Sequence, residues 1–233
     1  TAKQTLRQNK RHGLDSYVIC WDAIKCFDRL PREFIWRSMQ KVGVHPEMIK
    51  AAQATLQGTV CELNVEGERR TVRMRQGSAQ GTSLGPALCL YFFLPILKLW
   101  VTKQVGRTTT TNVDSNGKQN KVGTGINNFA DDTMMIVTSE EEVTRITREF
   151  VTYIETFQVE MHKSNTATPT KPSKSVVVHI PATYLDNMPL KSPIRIRKLA
   201  NGTSETICYV RSCVYLGATI NEKLCDDEEI DKR

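Results

Sequence analysis

The stretch that decides the fold is Asn127-Asn128-Phe129-Ala130-Asp131-Asp132-Thr133-Met134-Met135-Ile136-Val137. It places two adjacent carboxylates, Asp131 and Asp132, between a polar or aromatic lead-in and an apolar run. The pattern predicts the tight turn of a β-hairpin whose second strand is buried and whose tip is negatively charged. Asp-Asp is also common in ordinary surface turns. A carboxylate pair at such a tip can hold a divalent metal, and the rest of the chain must decide between these two interpretations.

A third carboxylate follows an apolar strand far upstream. Residues 17–21 form a continuous apolar run of strand length, and Asp22 comes directly after it. If this strand neighbours the hairpin in a sheet, Asp22 can meet Asp131 and Asp132. Carboxylates crowded in this way repel one another unless cations lie between them. Hard oxygen ligands favour Mg²⁺, and two such ions about 3.5–4 Å apart support in-line displacement at phosphorus. The reaction class that this pattern indicates is nucleotidyl transfer.

The remaining chain alternates helical and strand patterns without a regular βαβ repeat. The fold class we predict is therefore α+β, an antiparallel sheet backed by helices on one face. The predicted elements are a helix end over 1–13, helices over 31–43 and 46–57, a hairpin over 60–74, an apolar helix over 84–100 kinked or interrupted near Pro95, a mobile loop over 107–123, a helix opened by a capping box from Ser139 to Glu142, and strands over 176–180, 194–199, 206–211 and 214–220.

Composition limits the class of partner and the compartment. The 233 residues carry a formal net charge of +7, which favours a polyanionic partner. The seven cysteines form no C-x-x-C pair, which argues against zinc knuckles and a secreted disulfide scaffold. They are predicted to be reduced thiols of an intracellular protein in the nucleus or cytoplasm. The apolar segment Ala87–Trp100 is short and interrupted by Pro95 and Lys98, so no membrane partner is expected.

Five motifs occur in an order that resembles the reverse transcriptases of non-LTR (LINE-like) retrotransposons. They are Asp22-x₄-Phe27-Asp28 after an apolar strand, Gln80-Gly81-x-x-Leu84-x-Pro86, Phe129-Ala130-Asp131-Asp132, Pro172-Ser173-Lys174-Ser175 and Tyr215-Leu216-Gly217. Each motif alone is a weak signal, whereas five in order across nearly the whole chain are a strong one. The resemblance implies an RNA-directed DNA polymerase core that extends a DNA primer with dNTPs on an RNA template.

The resemblance also assigns roles to single residues. It implies that two Mg²⁺ ions, which Mn²⁺ can replace, are held by Asp22, Asp131, Asp132 and the carbonyl oxygen of Ala23. Phe27 would exclude a ribose 2′-OH, because a bulky ring and a hydroxyl cannot occupy the same volume. The other implied roles are nucleotide and template contact by Gln80 and Gly81, neutralisation of pyrophosphate by Lys174, and primer binding by Tyr215, Leu216 and Gly217.

The same resemblance implies a polymerase palm with part of the fingers and the start of the thumb. Residues 1–13 would end a fingers helix, 14–207 would form the palm with partial fingers elements, and 208–233 would hold the primer-grip hairpin and the thumb connection. The chain has no initiator Met and stops in a charged, helix-like run, so we expect a segment of a longer polyprotein with fingers, thumb and possibly an endonuclease. Such a fragment is expected to be weakly active or inactive alone. The alternatives are a catalytically silent nucleic-acid-binding relic of a retroelement and, less suited to the motifs, a cyclase-type palm.

Overall fold

The computed structural model describes residues 2–78, 82–104, 126–165 and 173–224 with their side chains, and the backbone alone of 109–113 and 119–123. The chain forms two compact units, which we name the sheet unit (Thr1–Ile24 with Leu99–Arg233) and the helical unit (Lys25–Lys98). In chain order the elements are α1 (Ala2–Arg11), β1 (Ser16–Trp21), α2 (Cys26–Arg29), α3 (Arg32–Lys41), α4 (Pro46–Leu56), β2 (Val60–Val65), β3 (Glu68–Arg73), α5 (Leu84–Gln104), β4 (Thr109–Val113), β5 (Gln119–Gly123), β6 (Ile126–Phe129), β7 (Asp132–Val137), α6 (Glu140–Glu155), β8 (Ser164–Asn165), β9 (Val176–Ile180), β10 (Ile194–Lys198), β11 (Ser204–Val210), β12 (Ser212–Tyr215) and β13 (Ala218–Asn221).

The sheet unit is built on one sheet with the strand order β10-β11-β9-β1-β7-β6, and β8 pairs with β11. Its described pairings are antiparallel except for that of β9 with β11. β1 lies inside this sheet, and all six of its residues are buried, as a continuous apolar run predicts. The predicted α+β class, with a mostly antiparallel sheet backed by helices, is confirmed.

Apolar groups cover β1 on both faces. On one face the ring of Trp21 lies 4.2 Å from that of Phe150 in α6, measured between centroids. The opposite face, with Val18 and Cys20, packs in a core that includes Leu6 of α1. Full burial of an apolar side chain such as Val or Leu contributes about 1.5–3 kcal/mol to the stability of the fold. The strand that precedes Asp22 is therefore fixed from two sides.

The helical unit has its own aromatic core, in which Phe92 makes edge-on ring contacts at 5.3 Å to Phe34 and 5.2 Å to Phe93. Every residue of β2 and β3 is exposed. The segment after β3 returns to α2, because the N–H of Gly77 donates to Leu30 O at 2.8 Å and that of Ser78 donates to Phe27 O at 2.8 Å. Phe27 is thus held by backbone hydrogen bonds within this unit.

The prediction of a mobile loop over 107–123 is wrong for residues 109–113 and 119–123, whose backbone is described. There β4 and β5 form an antiparallel hairpin with Thr109 paired to Gly123 and Val113 to Gln119. Threonine and valine are β-branched and favour extended backbone. This preference outweighs the low complexity that suggested a loop.

The helix predicted over 84–100 is not interrupted near Pro95, because α5 continues through this residue to Gln104. Among the described helices, α5 alone is long and apolar enough to cross a membrane, a test that the core helix of a soluble protein also passes. Leu88, Phe92 and Ile96 of α5 are buried within the protein.

Two local predictions differ from the structure at element ends. Ser139 precedes α6 as predicted, but its side chain makes no capping hydrogen bond, so the serine half of the capping box is absent. The predicted strand over 214–220 is the hairpin β12–β13, in which Leu216 and Gly217 adopt φ of 51° and 76° and reverse the chain. The sequence pattern over 214–220 did not predict this turn, because the stretch is mostly apolar and Gly217 is its only turn signal.

Candidate active site

Asp22 and Asp132 come together through the pairing of β1 with β7. The last paired residues are Trp21 and Thr133, and one further step of the antiparallel register places Asp22 opposite Asp132. Directly opposed residues have Cβ atoms about 4.5–5.5 Å apart and project to the same face. Both carboxylates line one cavity of about 340 Å³ at the end of β1. Two carboxylates that lie 110 residues apart in the sequence therefore share one site.

Asp131 lies at the tip of the β6–β7 hairpin, beside Asp132. Phe129 pairs with Asp132, which leaves Ala130 and Asp131 as a two-residue turn. Ala130 adopts φ of 53°, a left-handed conformation that costs a residue with a side chain about 1–3 kcal/mol. The amide of Asn128 donates to the carbonyl oxygens of Ala130 and Asp132 at 3.2 and 3.3 Å and to Thr133 Oγ1 at 3.0 Å. These hydrogen bonds hold the strained turn in place.

The electrostatics of the site follow from this crowding. Burial raises the pKa of Asp131, and the charge of Asp22 raises it further, whereas a backbone hydrogen bond and Lys174 act in the opposite direction. Burial also raises the pKa of Asp132, with further contributions from Asp131 and Asp22 and an opposing one from Lys174. Each of these two carboxylates is thus less easily ionised than a solvated Asp. A cation between them would relieve the repulsion.

Asp22 is oriented by groups from two other segments. Its Oδ2 lies 3.2 Å from His162 Nε2 and 3.6 Å from Lys174 Nζ, yet this buried atom accepts no hydrogen bond of good geometry. Its backbone carbonyl accepts from the N–H of His162 at 2.9 Å, and its own N–H donates to Ser175 Oγ at 3.1 Å. Asp22 therefore has a fixed backbone and a buried carboxylate oxygen that lies near two nitrogen groups without a well-aligned hydrogen bond.

Ala23 is buried and forms an isolated antiparallel bridge with Met161. Across the parts of the chain with described side chains, no three Asp, Glu, His or Cys side chains are grouped closely enough to hold a metal ion as they stand. The donor set by itself nonetheless suits a hard cation, because it consists of carboxylate oxygens.

Of the predicted primer-binding residues, Tyr215 lines the same cavity. Tyr215, at the end of β12, donates its hydroxyl to the carbonyl of Asn127 in β6 at 3.2 Å. Burial raises the pKa of Tyr215 to about 12, and the charges of Asp132 and Cys20 add to this. Leu216 and Gly217 form the exposed turn that follows. The hairpin β12–β13 is therefore attached to the strand that leads into Asp131.

The remaining predicted site residues are Phe27, Gln80 and Gly81. Phe27 is half-buried and belongs to the helical unit. Gln80 and Gly81 lie outside the described residues. Their predicted roles stay predictions.

The comparison with known protein families agrees with this geometry. The family model for reverse transcriptase (RNA-dependent DNA polymerase) matches residues 1–220. The chain belongs to the reverse transcriptase family. The predicted family is thereby confirmed, while its non-LTR subtype stays a prediction.

Solved structures show the same fold in other members of this family. The reverse transcriptase domain described here is similar to the apo telomerase of Candida tropicalis truncated from its C-terminal domain, with a TM-score of 0.55, 12% identity, and coverage of 94% of this chain and 37% of that one. For the telomerase of Candida albicans in complex with a TWJ fragment of telomeric RNA, the TM-score is 0.54, the identity 9%, and the coverage 94% of this chain and 32% of that one. This chain thus spans about a third of the length of these telomerases.

Sequence reasoning missed two residues of the reverse transcriptase site. Ser175 stands directly after Lys174 in a motif that the resemblance singled out, so its place in the sequence was already a signal. His162 follows a short alternation in which Val159 and Met161 are buried and Glu160 is exposed. That alternation is the trace of an extended segment, and it could have predicted that residues 159–162 lie along a strand.

Proposed function

We propose that this domain is the core of an RNA-directed DNA polymerase that transfers a nucleotide from a dNTP to a primer 3′-OH on an RNA template. The observation that carries the proposal is the β1–β7 register, which sets Asp22 opposite Asp132 with Asp131 at the adjacent hairpin tip. In the reaction the 3′ oxygen loses its proton and bonds to the α-phosphorus, while the bond from that phosphorus to pyrophosphate breaks. A site for this reaction must tolerate the negative charge of the triphosphate.

The residues that would hold Mg²⁺, or Mn²⁺ in its place, are Asp22, Asp131, Asp132 and the carbonyl oxygen of Ala23. When bound, a pair of such ions lowers the pKa of the attacking hydroxyl and neutralises the leaving pyrophosphate. The support for this ligand set is the raised pKa values of the two hairpin carboxylates and the buried Oδ2 of Asp22, which contacts His162 and Lys174 without a hydrogen bond of good geometry.

The protein's own groups would supply orientation and charge. Lys174 lies 3.6 Å from Asp22 Oδ2 and is largely exposed to solvent, so its ammonium can reach a pyrophosphate that arrives at the cavity. His162 holds the backbone of Asp22 by the hydrogen bond to its carbonyl oxygen. Phe27 would discriminate against the 2′-OH, and Gln80 and Gly81 would contact nucleotide and template.

The hairpin β12–β13, with Tyr215, Leu216 and Gly217, would bind the primer. On this proposal residues 1–13 end a fingers helix, 14–207 form the palm and 208–233 lead into the thumb. The parent would be a longer, non-LTR retrotransposon polyprotein of the nucleus or cytoplasm. The TWJ fragment of telomeric RNA in the complex of the Candida albicans telomerase supports RNA as a class of binding partner.

Two measurements test the proposal. Manganese binding to the chain is measured by electron paramagnetic resonance. Primer extension on an RNA template is measured with dNTPs and with NTPs in the longer parent protein, because this segment alone is expected to be weakly active or inactive. Asp131→Asn preserves shape but removes a charge, and we expect it to lower Mn²⁺ affinity and dNTP incorporation by more than about 100-fold. The matched control is Asp186→Asn, at an exposed position, which is expected to change neither.

Equal Mn²⁺ affinity in the chain and in Asp131→Asn would refute the ligand assignment. Salt-sensitive RNA binding without specific Mn²⁺ binding or incorporation would refute the polymerase proposal and support a silent relic. Manganese binding without incorporation by the parent protein would retain the assignment of the metal ligands and overturn the polymerase proposal.

A further inference from the structure

Two cysteine side chains meet at the wall of the cavity that holds Asp22 and Asp132. Cys20 of β1 and Cys213 of β12 have their sulfur atoms 3.5 Å apart, although 193 residues separate them in the sequence. Both line the cavity together with these two carboxylates. Cys20 lies two residues before Asp22, and Cys213 two residues before Tyr215. The thiol pair therefore joins the strand that ends in a carboxylate to the hairpin that carries Tyr215.

We propose that Cys20 and Cys213 form a reversible disulfide when the protein meets a hydroperoxide. One thiol is first oxidised by H₂O₂ to a sulfenic acid, and one molecule of water leaves. The second thiol then attacks the sulfenic sulfur, an S–S bond forms, and a second molecule of water leaves. In all, two thiols lose two hydrogens and one peroxide becomes two waters. A dithiol reductant restores both thiols by exchange.

The geometry permits this closure with small movements. A disulfide has a sulfur separation of about 2.05 Å, so the two sulfurs must approach by about 1.5 Å. Cys213 is half-buried and is flanked by the exposed Ser212 and Val214. Because Cys20 and Cys213 both line the cavity, a small oxidant can reach the pair without unfolding of the domain.

The chain contains an internal control for this argument. Cys26 and Cys89 lie 3.7 Å apart in the helical unit, almost the same separation, but both residues are buried, at 4% and 0% exposure. In the first pair Cys20 is also buried, at 7% exposure, whereas Cys213 is half-buried, and both line the cavity. Cys61, by contrast, is exposed on β2. Proximity alone would make both pairs reactive, whereas access to oxidant distinguishes them. We therefore expect oxidation of the Cys20–Cys213 pair and protection of the Cys26–Cys89 pair in the folded protein.

A disulfide here would restrain the β12–β13 hairpin above the carboxylates. The hairpin is otherwise attached by Tyr215 to Asn127 and by its packing on the core that contains Cys20. The crosslink fixes β12 to β1, so opening of the hairpin would require reduction. The bond forms whether or not the domain is a polymerase, and its test is therefore independent of the proposed function.

The experiment treats the folded chain with H₂O₂, alkylates the remaining thiols, and maps the peptides by mass spectrometry with and without dithiothreitol. We expect loss of alkylation at Cys20 and Cys213, a linked peptide pair that dithiothreitol separates, and full alkylation of Cys26 and Cys89 once the quenched sample is unfolded. Hydrogen exchange is measured on the same samples, and slower exchange of β12–β13 amides is expected in the oxidised form. Cys213→Ser should abolish both effects, and its unchanged circular dichroism would show that it folds.

Three results would overturn the proposal. The first is that Cys20 and Cys213 remain alkylatable after peroxide treatment of the folded chain. The second is that the Cys26–Cys89 pair oxidises at the same rate, which would mean that access does not control the reaction. The third is that slower hairpin exchange after peroxide persists in Cys213→Ser.

Discussion

Replacement of Gly77 by alanine tests how the segment around Phe27 is held. Gly77 adopts φ of +79°, and a Cβ built on it would lie 2.6 Å from the carbonyl oxygen of Asp28 and 2.7 Å from that of Phe27. Both contacts are with backbone atoms, which cannot rotate away. Its N–H and that of Ser78 also donate to carbonyl oxygens at 2.8 Å. The close approach of the two segments therefore requires the absence of a side chain.

The expected cost of Gly77→Ala has two parts. The left-handed conformation costs a residue with a Cβ about 1–3 kcal/mol, and overpacking against backbone costs typically about 1–3 kcal/mol more. Gly67, in the turn between β2 and β3, has φ of +88°, and a Cβ at this position would have no atom within 4 Å. Gly67→Ala therefore incurs only the first part, and the difference between the two variants isolates the second.

Urea unfolding of the two variants and the unsubstituted chain measures both costs as changes in the free energy of unfolding. We expect Gly77→Ala to be less stable than Gly67→Ala by about 1–3 kcal/mol. If Phe27 excludes the 2′-OH, a displaced α2 should also reduce the preference for dNTP over NTP in Gly77→Ala alone. Equal destabilisation by the two alanines would refute the close approach on which this reasoning depends.

Two further predictions concern the sheet unit. Burial acts to raise the pKa of Asp15, but hydrogen bonds from the Ala182 N–H and from His179 lower it below 3.8. The ionised Asp15 therefore contributes to the stability of the fold above that pH. This contribution is lost as the pH falls through the lowered pKa. Asp15→Asn should remove this pH-dependent contribution to stability, which is below about 1 kcal/mol because the side chain is 43% exposed. If the slope of stability against pH between the ordinary and the lowered pKa is the same in Asp15→Asn as in the unsubstituted chain, the assignment is contradicted. Phe150→Ala removes a buried ring that contacts two tryptophans and should lower the free energy of unfolding in urea by about 3–5 kcal/mol. The control is Leu185→Ala, at a residue 63% exposed, which should lower it by less than about 0.5 kcal/mol. Similar losses in the two variants would show that Phe150 is not part of the core.

The parts of the fold that the sequence predicts are those set by local pattern. The apolar run before Asp22 predicts β1, and the Asp131-Asp132 pair before a second apolar run predicts the β6–β7 hairpin. His162 was not predictable in the same way, because its approach to Asp22 depends on a bridge between residues 23 and 161. The Cys20–Cys213 contact likewise depends on how a distant hairpin packs. Periodicity reports which face a residue occupies but not which distant segment covers that face.

The position of Asp22 opposite Asp132 follows from the way in which β1 itself is fixed in the sheet. All six residues of β1 are buried, so the alternation of polar and apolar side chains cannot select its register. Instead, a charged carboxylate stands at each end of the strand, because Asp15 precedes it and Asp22 follows it. If the register slipped by two residues along β7, one of these carboxylates would enter the core. The free-energy cost of burying an unpaired charge far exceeds any gain from the shifted packing. A slip of one residue would exchange the faces and take Trp21 away from Phe150. The register that buries the apolar residues is therefore also the one that brings the carboxylates together.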